Sequence, residues 1–116
     1  MRPLAAAALF VLLAVIGCKS PHVAAVIINS THQPIDLLEV DYPSASFGTQ
    51  SLAPGGTFAY SFKVIGSGNI SLTYTTSNFH DKKSEGPFLK EGDEGPIEII
   101  ITPEGVRWVP IPHPHS

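Results

Sequence analysis

The chain has one cysteine, one methionine and one tryptophan, few charges, and no long segment in which apolar residues recur with a helical period. Each shortage excludes something. A single cysteine, Cys18, rules out a disulfide within the chain. Charged residues make up only 15% of the sequence, with seven Lys and Arg against ten Asp and Glu, so the net charge is −3. Nucleic acid is bound through basic patches, and this balance argues against it as a partner. It equally argues against strong attraction to anionic lipid headgroups. The apolar run from Leu4 to Gly17 is shorter than the roughly 20 residues a membrane span needs. It ends at Gly17-Cys18-Lys19-Ser20-Pro21, which cannot continue a membrane helix.

What the run does carry are the parts of an export signal. Arg2 supplies a positive charge before it, and Gly17 is a small residue at its end. The stretch Val15-Ile16-Gly17-Cys18 resembles the lipobox of bacterial lipoproteins, with Val15 where that family most often has Leu. The resemblance covers residues 1–18. It implies that residues 1–17 are a cleaved signal peptide and that Cys18 carries a lipid on its thiol. It further implies an acylated amine at Cys18, a cell-envelope location and membrane lipid as a partner. Lys19 after the cysteine, where Asp would favour inner-membrane retention, implies the outer membrane if the cell is diderm. Each buried methylene contributes about 0.8 kcal/mol, so one acyl chain holds marginally and two or more hold firmly. Loss of residues 1–17 removes Arg2 and takes the net charge to −4.

The remainder divides into a tether (18–22), one domain (23–110) and a Pro/His tail (111–116). About a hundred residues suit a single domain with its own core. Short runs rich in β-branched and aromatic residues are separated by turn signals every 8–12 residues or so, which points to an all-β sandwich of about seven strands. The pattern is similar to immunoglobulin or fibronectin type III domains, without a cysteine pair between sheets and with Trp108 near the C-terminus. Residues 23–28 are apolar throughout and read as buried on both faces. In residues 35–42, Leu38, Val40 and Tyr42 share one face, while Ile35 and Leu37 give way to Glu39 and Asp41 on the other. Residues 47–52 read as an edge strand with a bulge or bend at Gly48. The clearest alternation is "TFAYSFKV", residues 57–64, which places Phe58, Tyr60, Phe62 and Val64 in the core. Ile70, Leu72 and Tyr74 face inward from the next strand, and Ile97, Ile99 and Ile101 from a later one. Residues 82–86 read as a weak strand, and 106–109 as the last. The prolines of the tail offer no central pairing edge, so it is expected to be mobile.

Candidate chemistry is sparse. "EGDEG", residues 91–95, gathers Glu91, Asp93 and Glu94 in a glycine-rich loop of the kind that supplies oxygen ligands to calcium, though the EF-hand spacing is absent. A solvated hairpin loop accounts for it as well. Glu39 and Asp41 share a strand face, but acid–base hydrolysis of glycosides needs two carboxyl groups across a cleft. His113 and His115 on the tail have ligand chemistry for zinc, nickel or copper, and His22, His32 and His80 fall in turns. No nucleophile elbow is present. Asn29-Ser30-Thr31 and Asn69-Ile70-Ser71 match a glycosylation pattern by chance. Phe79 and Phe88 flank polar stretches and read either as exposed aromatics for binding or as plugs at the sandwich ends. The expectation is a lipid-anchored, non-catalytic β-sandwich that binds a protein or glycan or has a structural role, with no cofactor. The alternative is a small metal- or calcium-responsive module built on the acidic loop or the tail histidines.

Overall fold

The computed structural model describes residues 21–114. Residues 1–17, expected to be a signal peptide, Cys18 with most of the expected tether, and His115 lie outside the described residues. Nine strands follow in chain order: β1 (Val23–Asn29), β2 (Ile35–Tyr42), β3 (Ala45–Leu52), β4 (Thr57–Phe62), β5 (Gly68–Thr75), β6 (Lys82–Leu89), β7 (Asp93–Thr102), β8 (Gly105–Val109) and β9 (His113–Pro114). They form an all-β sandwich of two sheets, with nine strands in place of about seven. One sheet has the order β4-β1-β7-β8, and β9 also pairs with β7; the other has the order β3-β2-β5-β6. The first and seventh strands are parallel neighbours, Val23 opposite Gly95 through Asn29 opposite Ile101, whereas every other pairing is antiparallel.

Period-2 alternation builds the core. Val23, Ala25 and Ile27 from β1, Phe62 from β4 and Ile97, Ile99 and Ile101 from β7 face Leu38 and Val40 from β2, Ile70, Leu72 and Tyr74 from β5 and Leu89 from β6. Each large apolar side chain fully buried this way contributes about 1.5–3 kcal/mol. Only one face of β1 is covered: Ala24 is exposed and Val26 and Ile28 are half-buried, which corrects the expectation of burial on both sides. Its outer face stays partly open because the second sheet packs on the inner one alone.

The two seams between the sheets are closed by aromatic rings. Along β3 and β4, Phe47 stacks on Tyr60 at 4.4 Å between centroids, and Tyr42 stacks on Phe62 at 4.1 Å. Tyr60 is therefore at the rim, 43% exposed, and not in the core as its alternation suggests. β4 is an edge strand, so its inner face is only partly overlaid. Along β6 and β8, half-buried Trp108 packs on the core and its Nε1 lies 3.4 Å from the Ser84 Oγ.

Other departures have local causes. Leu37 is 48% exposed while Ile35 is buried, so the alternation of β2 breaks between them, beside Ser51 of β3, whose φ is 65°. Gly48 stays in regular register with Glu39, with no bulge; its bare α-carbon lets it approach the Leu38 carbonyl. The irregular step lies between Asn69 and Ser71, where β5 pairs with β6. The tail is not free of the sheet: beyond the cis Val109–Pro110 bond, Pro112 is buried, and His113 and Pro114 pair with Glu94 and Asp93. Proline tolerates this because β9 lies on the outer side of β7, as a continuation of the β8 edge.

The strand directions define two poles. The chain enters at Pro21–His22, and the β2–β3 hairpin, the β4–β5 connection, the β6–β7 turn and β9 gather at that end. The β1–β2 loop, the β3–β4 turn, the β5–β6 loop and the β7–β8 turn gather at the other, the distal pole. Seven residues of β1 at about 3.3 Å each separate them by roughly 20–25 Å.

Candidate functional site

Three of the four connections at the distal pole, from distant parts of the chain, converge on one pocket. The β1–β2 loop is held by Asn29, the last residue of β1 and fully buried. Its Nδ2 donates to the carbonyls of Gln33 and Leu52, at 3.0 and 2.9 Å. Its Oδ1 accepts from the Thr31 N–H at 3.0 Å and from the Thr31 hydroxyl at 2.6 Å. The Asn29 side chain is thus spent on shaping residues 29–33 and tying them to the end of β3, and its amide is closed to modification in the folded chain. The β5–β6 loop is shaped by Thr76, whose Oγ1 accepts the N–H groups of Asn78 and Phe79, each at 3.2 Å. The Phe79 carbonyl in turn accepts from the Thr76 N–H at 2.8 Å. The two loops are joined where the Ser77 hydroxyl donates to the Gln33 Oε1 at 2.9 Å.

Between them lies a pocket of about 270 Å3. Thr31, His32 and Gln33 form one wall, Tyr74, Thr76, Phe79 and Lys82 a second, and Thr102 and Pro103 a third. Tyr74 and Lys82 face each other across the β5–β6 ladder, so both project from the inner face where the sheets splay apart. Burial pushes the Tyr74 phenol above its ordinary pKa, and it stays a hydroxyl at neutral pH. Phe79 is 46% exposed, and the Lys82 ammonium lies over its ring, 4.4 Å from the centroid. Such cation–π contacts contribute about 0.5–1 kcal/mol at exposed sites, enough to bias both groups toward the rim while leaving the ammonium free to turn to a ligand.

The other candidate residues lie elsewhere. Phe88 is exposed opposite Asn69, far down β6 from the pocket. Glu39 and Asp41 stand on the outward side of β2, opposite Gly48 and Ser46, with no facing wall. The acidic loop is shorter than its composition suggests. Asp93 is buried at the start of β7, and its Oδ2 accepts the Lys90 N–H at 3.0 Å. Gly92 and Glu91 donate to the Val64 carbonyl and the Ser67 hydroxyl, both at 3.1 Å. The solvated loop expected through residue 95 is thus a tight turn with one inward carboxylate. Among the described residues, no three His, Cys, Asp or Glu side chains gather in a metal-binding group. His32 reaches the pocket, His80 lies in the β5–β6 loop, and His22 and His113 lie at the opposite pole.

Of the pocket residues, only Phe79 and His32 carry a recognisable signal in the sequence. Thr31, Gln33, Thr76, Lys82 and Thr102 are ordinary polar residues until the parallel β1–β7 pairing and the β5–β6 hairpin bring them together.

No protein-family model matches the chain, and no curated protein matches it. A solved structure similar to this chain is the NMR structure of a protein from Eubacterium rectale, 16% identical, with a TM-score of 0.53 over 82% of this chain and 91% of that one. At that identity the likeness concerns the fold alone.

Proposed function

We propose that this protein is a lipid-anchored envelope protein whose β-sandwich is a non-catalytic binding module, with the distal pocket as its binding site. The carrying observation is polarity: the chain enters the sandwich at the pole opposite the pocket. Cys18 precedes His22 by four residues, and an extended chain reaches at most about 3.3–3.6 Å per residue. A lipid on Cys18 holds the entry pole near the bilayer and turns the pocket outward, roughly 20–25 Å farther from the surface. The lining carries hydroxyl, amide, aromatic, imidazole and ammonium groups and no carboxylate, so it lacks the facing acid pair that glycoside hydrolysis uses. Lys19 favours the outer membrane in a diderm cell.

Two measurements test this reading. Mass spectrometry of the mature N-terminus in the native host is expected to find a diacylated or triacylated Cys18, and Cys18→Ser to leave the membrane fraction or accumulate as precursor. An unmodified Cys18 thiol overturns the anchor. Crosslinking and capture from intact cells, with wild type against Phe79→Ala, tests the site. Capture that is indifferent to Phe79→Ala and to Thr76→Val overturns the pocket's role.

A further inference from the structure

The distal pocket has an excess of hydrogen-bond donors. The Thr76 Oγ1 already accepts two N–H groups, so its own proton is left to donate outward. The Gln33 Oε1 accepts from Ser77, and its Nε2 has no partner among the described residues. Tyr74 keeps its phenolic proton. Lys82 adds a full positive charge, and the single salt bridge among the described residues, Lys83 with Glu85, leaves its ammonium engaged only with the Phe79 ring. Against these four donor groups, whose ammonium and amide carry several protons each, stand the spare lone pairs of the Thr31, Thr102 and Tyr74 oxygens and of Gln33 Oε1; Thr31 already donates to Asn29 Oδ1 and Thr102 to the Gly105 carbonyl. His32 faces the same space, and no lining residue is acidic. In a chain of net charge −3 this is a local reversal of sign.

Donor excess and a cation call for an acceptor-rich anion. Several polar walls call for a ligand with hydroxyl groups on more than one side. A half-exposed Phe79 ring with Pro103 opposite offers flat apolar surface for the C–H face of a pyranose. Pockets for drug-sized ligands run about 300–1,000 Å3, so a volume of about 270 Å3 suits one ring and excludes a long oligosaccharide. We infer that the distal pocket takes a single acidic sugar unit, a pyranose bearing a carboxylate, with Lys82, Thr76 and Gln33 directed at the carboxylate and Phe79 under the ring. This rests on the pocket being the protein's binding site.

The test is a titration of the isotope-labelled, full-length protein in detergent micelles, followed by amide chemical shifts, with glucuronate, glucose and acetate as separate probes. Glucuronate is expected to move the amides of Thr31, Thr76, Phe79 and Lys82 and to bind about five- to tenfold more tightly than glucose, as a charge-assisted contact at a half-open rim provides. That advantage should shrink as salt is raised. Lys82→Gln should bring glucuronate down to the level of glucose while leaving shifts elsewhere unchanged. Phe79→Ala should weaken both sugars alike. Equal binding of glucose and glucuronate, or of acetate and glucuronate, overturns the inference. So does a preference that survives Lys82→Gln. If no sugar moves these amides while capture from cells still depends on Phe79, the sugar class is wrong and the binding-module reading stands.

Discussion

Trp108 lies flat against the bare α-carbon of Gly86. A β-carbon at position 86 would stand 2.7 Å from Trp108 Cε3 and 2.8 Å from Ile70 Cγ2, closer than real side chains approach. Both neighbours are rigid parts of the core, so neither swings aside cheaply. The indole fills the space that a larger residue on the inner face of β6 would occupy.

Gly86→Ala is accordingly expected to destabilise the domain by about 1–3 kcal/mol, the usual cost of overpacking. Chemical denaturation measures it. Combined with Trp108→Leu, the second change should cost much less than it does alone, because the two residues share one space. Additive losses would show that they do not.

Phe62 and Tyr60 share a strand face but not an environment. Phe62 is buried under Tyr42 and Phe47, whereas Tyr60 covers Phe47 from the rim. Phe62→Ala should cost about 3–5 kcal/mol, and Tyr60→Ala less than half of that. For a domain with roughly 5–15 kcal/mol of total stability, the first approaches unfolding. Urea titrations of the two variants decide the order.

Asn29→Ala removes four hydrogen bonds at once and leaves the Leu52 and Gln33 carbonyls and the Thr31 amide without that partner. A loss of about 2–4 kcal/mol is expected from groups stranded away from water. Ser30→Ala, on an exposed neighbour, should stay within about 0.5 kcal/mol. Amide exchange should accelerate at residues 31–33 first, because Asn29 pins that loop.

Alkaline pH should weaken the fold. Burial raises the Tyr74 phenol pKa, and burial followed by the neighbouring Tyr60 raises that of Tyr42. Tyrosines in the unfolded chain ionise near pH 10. From there upward the unfolded state binds fewer protons than the folded one, so stability falls as pH rises, until the folded phenols ionise too. Below about pH 9 these two groups contribute no pH dependence. Tyr74→Phe should flatten the fall in melting temperature above about pH 10; an unchanged slope would show that the Tyr74 proton is released equally in both states.

Strands with an unbroken alternation were legible in the sequence. Phe62, Ile70, Leu72, Tyr74, Ile97, Ile99 and Ile101 face inward as their spacing dictates. β6 was only faintly legible, because its inner face carries Lys82, Ser84 and Gly86, and the apolar matter that fills the gap belongs to Trp108 on another strand. Asp93 reads as a solvated acid from its neighbours, yet a turn folds its carboxylate back on its own backbone. The prolines of the tail suggest a loose end, whereas Pro112 is buried and β9 extends an edge where proline is harmless. The pocket was the least legible feature. Its walls come from residues 31–33, 74–82 and 102–103, and no local pattern announces which loops share a pole.

The parallel pairing of β1 with β7 also sets a timetable. The first strand of the domain cannot join its sheet on that side until the seventh is available, and Val23 must wait for Gly95. Loop closure over such a span precedes any reward from the contact, which makes folding slow compared with that of a hairpin meander. During that interval the apolar segment 23–28 has only β4 for a partner, and its other edge is an open template for pairing with another chain. A chain released in the N-to-C direction would therefore complete its central sheet only after nearly all of the domain is available, so keeping unfinished copies apart in that interval is a demand built into this strand order.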